Sequence, residues 1–208
     1  LKRDNLNRKW AKVKATTGED GAKRGLFFAG SLAQAARMDP AQALKKLMLR
    51  EPRRTLAVAE SVTCGHLQAR IGAISGASEF FLGGITAYAL DEKVRHLGVK
   101  RAAAKAVNSV SAAVAEQMAR GACGLFGSDF ALATTGYASP SAEWKVAEPF
   151  AWWALAHAPG SRPAGGGKFI VRSGRVDGPG LARVAMQERV AARALEELVD
   201  YLRTLGSW

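Results

Sequence analysis

Thr55-Leu56-Ala57-Val58-Ala59 runs directly into Glu60-Ser61-Val62-Thr63-Cys64-Gly65, and a helical pattern opens at His66 and continues to Ile71. The first five residues are a short apolar run, which reads as a buried strand. The next six are small and polar, suited to a tight turn. Strand, small-residue turn and helix together place backbone N–H groups at a helix N-terminus, where an anion is readily held. This unit decides the fold class, because a parallel sheet is built from such steps.

Upstream, Asp39-Pro40 is a helix start, with Asp as cap and Pro at the first helical position. Leu44, Leu47 and Met48 repeat at helical spacing, and Pro52 marks the stop. Downstream, Phe80 to Tyr88 reads as a second strand carrying the pair Gly83-Gly84, and Ser111 to Leu125 as a helix with Val114, Met118, Ala122 and Leu125 on one face. Asp129 to Thr134 is a third strand ending in Thr135-Gly136. Phe150 to His157 is a fourth, bulky with Trp152 and Trp153. Lys168 to Arg172 is a fifth, after Gly165-Gly166-Gly167, and Arg183 to Leu205 closes as a long amphipathic helix. The last strands have no helix between them. The predicted fold is an α/β sandwich with a mixed sheet flanked by helices.

The 208 residues carry 30 Lys+Arg against 18 Asp+Glu, a net charge of +12. Residues 1–54 hold 14 basic and 5 acidic residues, whereas residues 55–208 hold 16 and 13. The basic excess therefore belongs to the N-terminal quarter. Residues 1–38 are expected as a basic extension, with Lys2, Arg3, Arg8, Lys9, Lys12 and Lys14 around Trp10, and residues 39–208 as the folded domain. Such an arm suits a polyanionic partner, including an RNA phosphate backbone. No apolar run approaches the ~18–20 residues of a membrane-spanning helix. Two cysteines, Cys64 and Cys123, are too few for a disulfide framework or a structural zinc site. An Arg- and Lys-rich, acid-poor leader resembles organellar import sequences, so the expected location is the mitochondrial matrix, with cytoplasm or plastid as alternatives.

The ordered motifs resemble the CinA C-terminal domain family, the nicotinamide-mononucleotide deamidases. Ala59-Glu60-Ser61-Val62-Thr63-Cys64-Gly65 resembles the family signature Ala-Glu-Ser-Cys-Thr-Gly-Gly. Gly76-Ala77-Ser78, Gly83-Gly84, Ala87-Tyr88, Lys93, Leu97-Gly98-Val99, Val110-Ser111, Gly121-Ala122 and Ala131 to Gly136 follow in order. The resemblance spans about Pro40 to Leu205. It implies hydrolysis of a carboxamide to a carboxylate with release of ammonia, with no metal and no cofactor. It further implies Ser78, Tyr88 and Lys93 as catalytic residues, and Ser61, Thr63, Gly65, Thr135 and Gly136 as ligand-binding residues. A free chain of this kind is expected to self-associate as a homodimer.

This sequence departs from the family pattern in three places. Cys64 stands where the signature has a glycine. After Thr135-Gly136 the family's Ile-Ala-Gly-Pro and its glycine-rich loop are replaced by Tyr137-Ala138-Ser139-Pro140 and a segment holding Trp144, Lys145 and Phe150. Either Arg175 or Arg183 corresponds to the family arginine near the C-terminus. Loss of glycines removes both φ freedom and close backbone approach. The expected function is a catalytically impaired relative, kept as an accessory subunit among other protein subunits of a large organellar assembly. The mitochondrial ribosome comes first and a respiratory complex second. The alternative is an active nicotinamide-mononucleotide deamidase.

Overall fold

A computed structural model describes residues 40–159 and 168–206. The expected basic arm with Trp10, the Asp39 cap and the Gly165-Gly166-Gly167 linker lie outside those residues. The described elements run α1 (Pro40–Met48), β1 (Leu56–Glu60), α2 (His66–Gly72), a 3-10 turn (Ala77–Glu79), β2 (Phe81–Thr86), α3 (Leu90–Leu97), α4 (Arg101–Ala106), α5 (Ala112–Phe126), β3 (Phe130–Tyr137), β4 (Phe150–His157), β5 (Ile170–Asp177) and α6 (Arg183–Thr204).

The five strands form one sheet in the order β2-β1-β3-β4-β5. β1 is parallel to both β2 and β3, whereas β3–β4 and β4–β5 are antiparallel. The mixed sheet follows from the connections. Helices join the parallel strands, and the described segment between the antiparallel β3 and β4 holds no helix.

Inner strands are buried on both faces, yet they alternate in size. Leu56 and Val58, Phe130 and Leu132, and Trp153 and Leu155 point to one face with α1, α2 and α6. Ala57 and Ala59, Ala131 and Ala133, and Ala154 and Ala156 point to the other, against α5. Small side chains on that face let α5 lie close to the sheet, and α5 is itself rich in small residues. At Gly121 an added Cβ would stand 2.2 Å from the Leu97 carbonyl oxygen, so α3 and α5 touch through backbone.

Three expectations need correction. Leu125 does not join the buried face of α5 but is exposed. The buried stripe is centred between the Val114, Met118, Ala122 row and the Ala115, Ala119, Cys123 row, so Phe126 continues it instead. β5 runs five residues beyond Arg172, because its polar residues alternate on an edge strand and mask its hydrophobic signal. Two short helices, α3 and α4, were not anticipated between β2 and α5. The bulky aromatics are mostly internal. Trp153 is buried, and Trp152 packs against the alanine face.

Candidate active site

The chain leaves β1, crosses to β2 on one side, and returns to β3 on the other. Such a reversal leaves a crevice at the carboxyl ends of the neighbouring strands, where ligands bind in open α/β sheets. A cavity of about 410 Å³ lies there, lined by Ser61 and Val62 after β1, Tyr88 and Lys93 after β2, and Thr135 to Ser141 from β3 onward. Asn108, Ser109 and Arg183 complete the wall. Its size suits a small-molecule ligand.

Ser61 is presented by a turn held from several sides. Its N–H donates to the Thr134 carbonyl at 3.0 Å, and the Val62 carbonyl accepts from Gln187 Nε2 at 2.8 Å. Thr63 and Thr134 share a buried hydroxyl–hydroxyl hydrogen bond of 2.7 Å. The Ser61 hydroxyl itself has no hydrogen-bond partner among the described residues.

The helix N-terminus expected to receive an external anion is already filled. The fully buried Glu60 carboxylate accepts from the N–H groups of Gly65 at 2.9 Å, Leu67 at 3.0 Å and Gln68 at 2.8 Å. A buried carboxylate requires such donors. Gly65, at φ 101°, therefore shapes the turn and serves Glu60, outside the cavity lining. Cys64 takes φ 47°, a backbone region that the glycine of the family signature would enter without strain.

Lys93 is buried on α3, and its Nζ donates to the Tyr88 carbonyl at 2.6 Å. Among the described residues, no Asp or Glu lines the cavity. With no carboxylate to offset desolvation, burial pushes the Lys93 ammonium down to about 8 from 10.5. Tyr88 is exposed, and its hydroxyl accepts from Arg183 Nη2 at 3.1 Å. Arg183 Nη1 also donates to Ser139 Oγ at 3.2 Å. Lys93 and Arg183 place two basic groups in the cavity wall.

The structure distributes the expected site residues unevenly. Tyr88, Lys93, Ser61, Thr135 and Gly136 all line the cavity. Ser78 does not join them. It is exposed in the 3-10 turn before β2, whose first residue pairs with Leu56 at the start of β1. Ser61 follows the far end of β1, a strand length of roughly 17 Å away at about 3.3 Å per residue. Thr63 faces inward to Thr134. Thr135 is buried, with its hydroxyl donating to the Ser109 carbonyl at 2.6 Å. Gly136 answers to packing, since an added Cβ would meet the Ala151 Cα at 2.5 Å across the β3–β4 pair.

Of the two candidate arginines, Arg183 is in the cavity wall. Arg175 lies over the Phe150 ring at 4.1 Å and pairs with Asp177. Lys145 is exposed in a small turn closed by the Ser141–Val146 bridge, and it does not line the cavity. Trp144 is also outside the lining, so the rewritten loop leaves the cavity open. Arg183 has a signal of its own in the sequence. A cation in the first turn of a long helix opposes the helix dipole, and its presence there calls for a ligand or partner. Asn108 and Ser109 carried none, since their place depends on the path between α4 and α5.

A mixed sheet flanked by helices, with a crevice at its strand reversal that holds a serine, a desolvated lysine and an arginine, defines an α/β protein. More narrowly, the chain belongs to the CinA C-terminal domain family, whose model matches residues 39–202. A CinA-like protein of Picosynechococcus is 48% identical over 96 residues, which cover 46% of this chain and 23% of that protein. One from Geobacter metallireducens is 48% identical over 93 residues, covering 45% and 22%. The chain thus spans under a quarter of the length of these relatives. Among solved structures, the competence damage-inducible protein A of Klebsiella pneumoniae is similar with a TM-score of 0.68 at 23% identity, over 81% of this chain and 96% of that one. A competence-damaged protein superfamily member from Enterobacter cloacae also gives 0.68, at 25% identity, covering 88% and 99%. Among the described residues, no helix is long and apolar enough to cross a membrane.

Proposed function

We propose that this chain is an amide hydrolase acting on a nicotinamide nucleotide, with Ser61 as nucleophile and Lys93 as its base. One observation carries the reading: a serine hydroxyl with no partner among the described residues and a lysine desolvated to about 8 open onto the same cavity. A neutral Lys93 amine accepts the Ser61 proton while Oγ bonds to the carboxamide carbon. The C–N bond then breaks, and the leaving nitrogen takes the proton back from Lys93 to depart as ammonia. Water hydrolyses the resulting ester to the carboxylate and frees Ser61. Developing negative charge on the carbonyl oxygen falls to the peptide N–H of Val62, beside the nucleophile. Arg183, held by Tyr88 and Ser139, is placed to take the substrate's phosphate.

The test is ammonia release from nicotinamide mononucleotide by the purified full chain. Ser61→Ala and Lys93→Ala should each lower turnover by at least a hundredfold, and Ser78→Ala should leave it unchanged. Full activity in Ser61→Ala would remove the proposal.

A second reading is favoured by the charge of residues 1–54, which carry most of the chain's basic excess. In that reading the chain is an accessory subunit of a large organellar assembly, held there by its basic extension, whether or not it turns over substrate. Sedimentation of a source-cell lysate tests it. Co-migration with a megadalton particle, lost when residues 1–38 are removed, is the expected result, and migration at monomer or dimer size would overturn it.

A further inference from the structure

At the cavity, Asn108 Nδ2 donates to the Tyr137 hydroxyl at 3.0 Å, and both residues belong to the cavity wall. The two come from distant places, the turn after α4 and the last residue of β3. Each is separately fixed. Asn108 and Ser109 both adopt left-handed backbone, at φ 48° and 60°. They are held there by the Ser109 N–H on the Ala104 carbonyl at 2.7 Å and by the Thr135 hydroxyl on the Ser109 carbonyl. Two successive non-glycine residues in that region are uncommon and persist only when surroundings over-determine them. The Tyr137 ring is braced by Phe150 at 5.6 Å, and Phe150 lies under the Arg175 guanidinium.

The pair remains chemically unsaturated. The Tyr137 oxygen accepts from Asn108, so its own proton is free to donate, and the Asn108 carbonyl oxygen has no partner among the described residues. Together they offer one donor and one acceptor to the cavity. Ser61 and Lys93 would engage the reacting amide, and Arg183 the phosphate. What lies between those two ends of a nucleotide is a sugar, whose hydroxyls each donate and accept.

We propose that Asn108 and Tyr137 form a specificity-determining pair that recognises the ribose hydroxyls of the substrate. This rests on the amide-hydrolase reading above. Tyr137 replaces an aliphatic residue of the family pattern, so the pair is a property of this chain's own rewritten segment. The pair acts on substrate choice, and the reaction at Ser61 proceeds without it.

The experiment compares nicotinamide mononucleotide with its 2′-deoxy and 3′-deoxy analogues on the full chain. Tyr137→Phe keeps the ring and its Phe150 contact while removing the hydroxyl. Asn108→Gly removes the side chain and tolerates the left-handed backbone. The wild-type chain should prefer the ribonucleotide over at least one deoxy analogue in kcat/KM by roughly three- to tenfold, the worth of one hydrogen bond at a partly open site. Each variant should abolish that preference by raising KM for the ribonucleotide with kcat kept, and the double variant should add nothing further. Unchanged preference in both variants overturns the pair, as does an equal loss on every substrate, which marks a purely structural role. A wild-type chain without turnover on any of the three removes the amide-hydrolase reading and this inference with it. Turnover without discrimination removes only the inference.

Discussion

Replacing Lys93 by Met should make the protein more stable and inactive at once. Lys93 is 2% exposed, and its folded-state value near 8 lies about 2.5 units below 10.5. At about 1.36 kcal/mol per unit, holding the ammonium inside the fold costs about 3 kcal/mol at neutral pH. Methionine has nearly the same shape and no charge to desolvate. The substitution also deletes the Nζ–Tyr88 carbonyl hydrogen bond, worth about 1 kcal/mol. The net gain is about 2 kcal/mol, or several degrees in Tm.

The sign with pH is specific. Between pH 8 and 10.5 the unfolded chain binds a proton at Lys93 that the folded chain has released, so the wild-type protein gains stability as pH rises through that window. The gap between Lys93→Met and wild type should therefore be full at pH 7 and close by about pH 10.5. Urea denaturation at pH 7, 9 and 10.5 reads it directly. A variant less stable than wild type at pH 7, or a gap that does not change with pH, would refute the reasoning. The trade between stability and activity would then not reside at this lysine.

The rate itself should follow the same group: kcat/KM rises with pH through about 8 as Lys93 loses its proton, and a profile flat from pH 6 to 9 would count against Lys93 as base. Glu60→Ala strips three N–H groups of their acceptor inside the fold and should cost at least about 3 kcal/mol in denaturation. A loss below about 1 kcal/mol would mean that water replaces the carboxylate there. Gly121→Ala drives a methyl into the Leu97 carbonyl and should lower stability by about 1–3 kcal/mol, seen as a reduced denaturation midpoint. Arg183→Gln should raise KM for a phosphate-bearing substrate with little change for the same substrate lacking phosphate, as steady-state kinetics would show.

Most of the element order was legible because its signals are local. Pro40 and Pro52 bracket α1, Ser111 caps α5 by accepting from the Val114 N–H, and the apolar runs of β1, β3 and β4 stand between polar turns. α3 was missed although its cap signals were present, with Asp91 and Glu92 in the first turn and Gly98 closing it in left-handed backbone. β5 was cut short because an edge strand has one solvated side and reads as polar. The alternation of large and alanine residues in β1, β3 and β4 was also in the sequence, but only the helix packed on each face gives it meaning.

For the site, the sequence by itself determined which chemistry-bearing residues the chain owns, and it kept Tyr88 and Lys93 near each other, since only five positions separate them. Only the structure showed that the buried Glu60 carboxylate takes the N–H groups at the start of α2. Tertiary structure alone decided which of Ser61 and Ser78 lines the cavity that holds that lysine. Ser61 and Ser78 flank the same small stretch of chain, but β1 and β2 run parallel, so the residue after one strand and the residue before the other are held at opposite ends of the sheet. Strand direction is set by pairing partners distant in the chain, and no local spacing encodes it. The same holds for Arg183, Asn108 and Tyr137, which meet at the cavity only because the sheet reverses its order there.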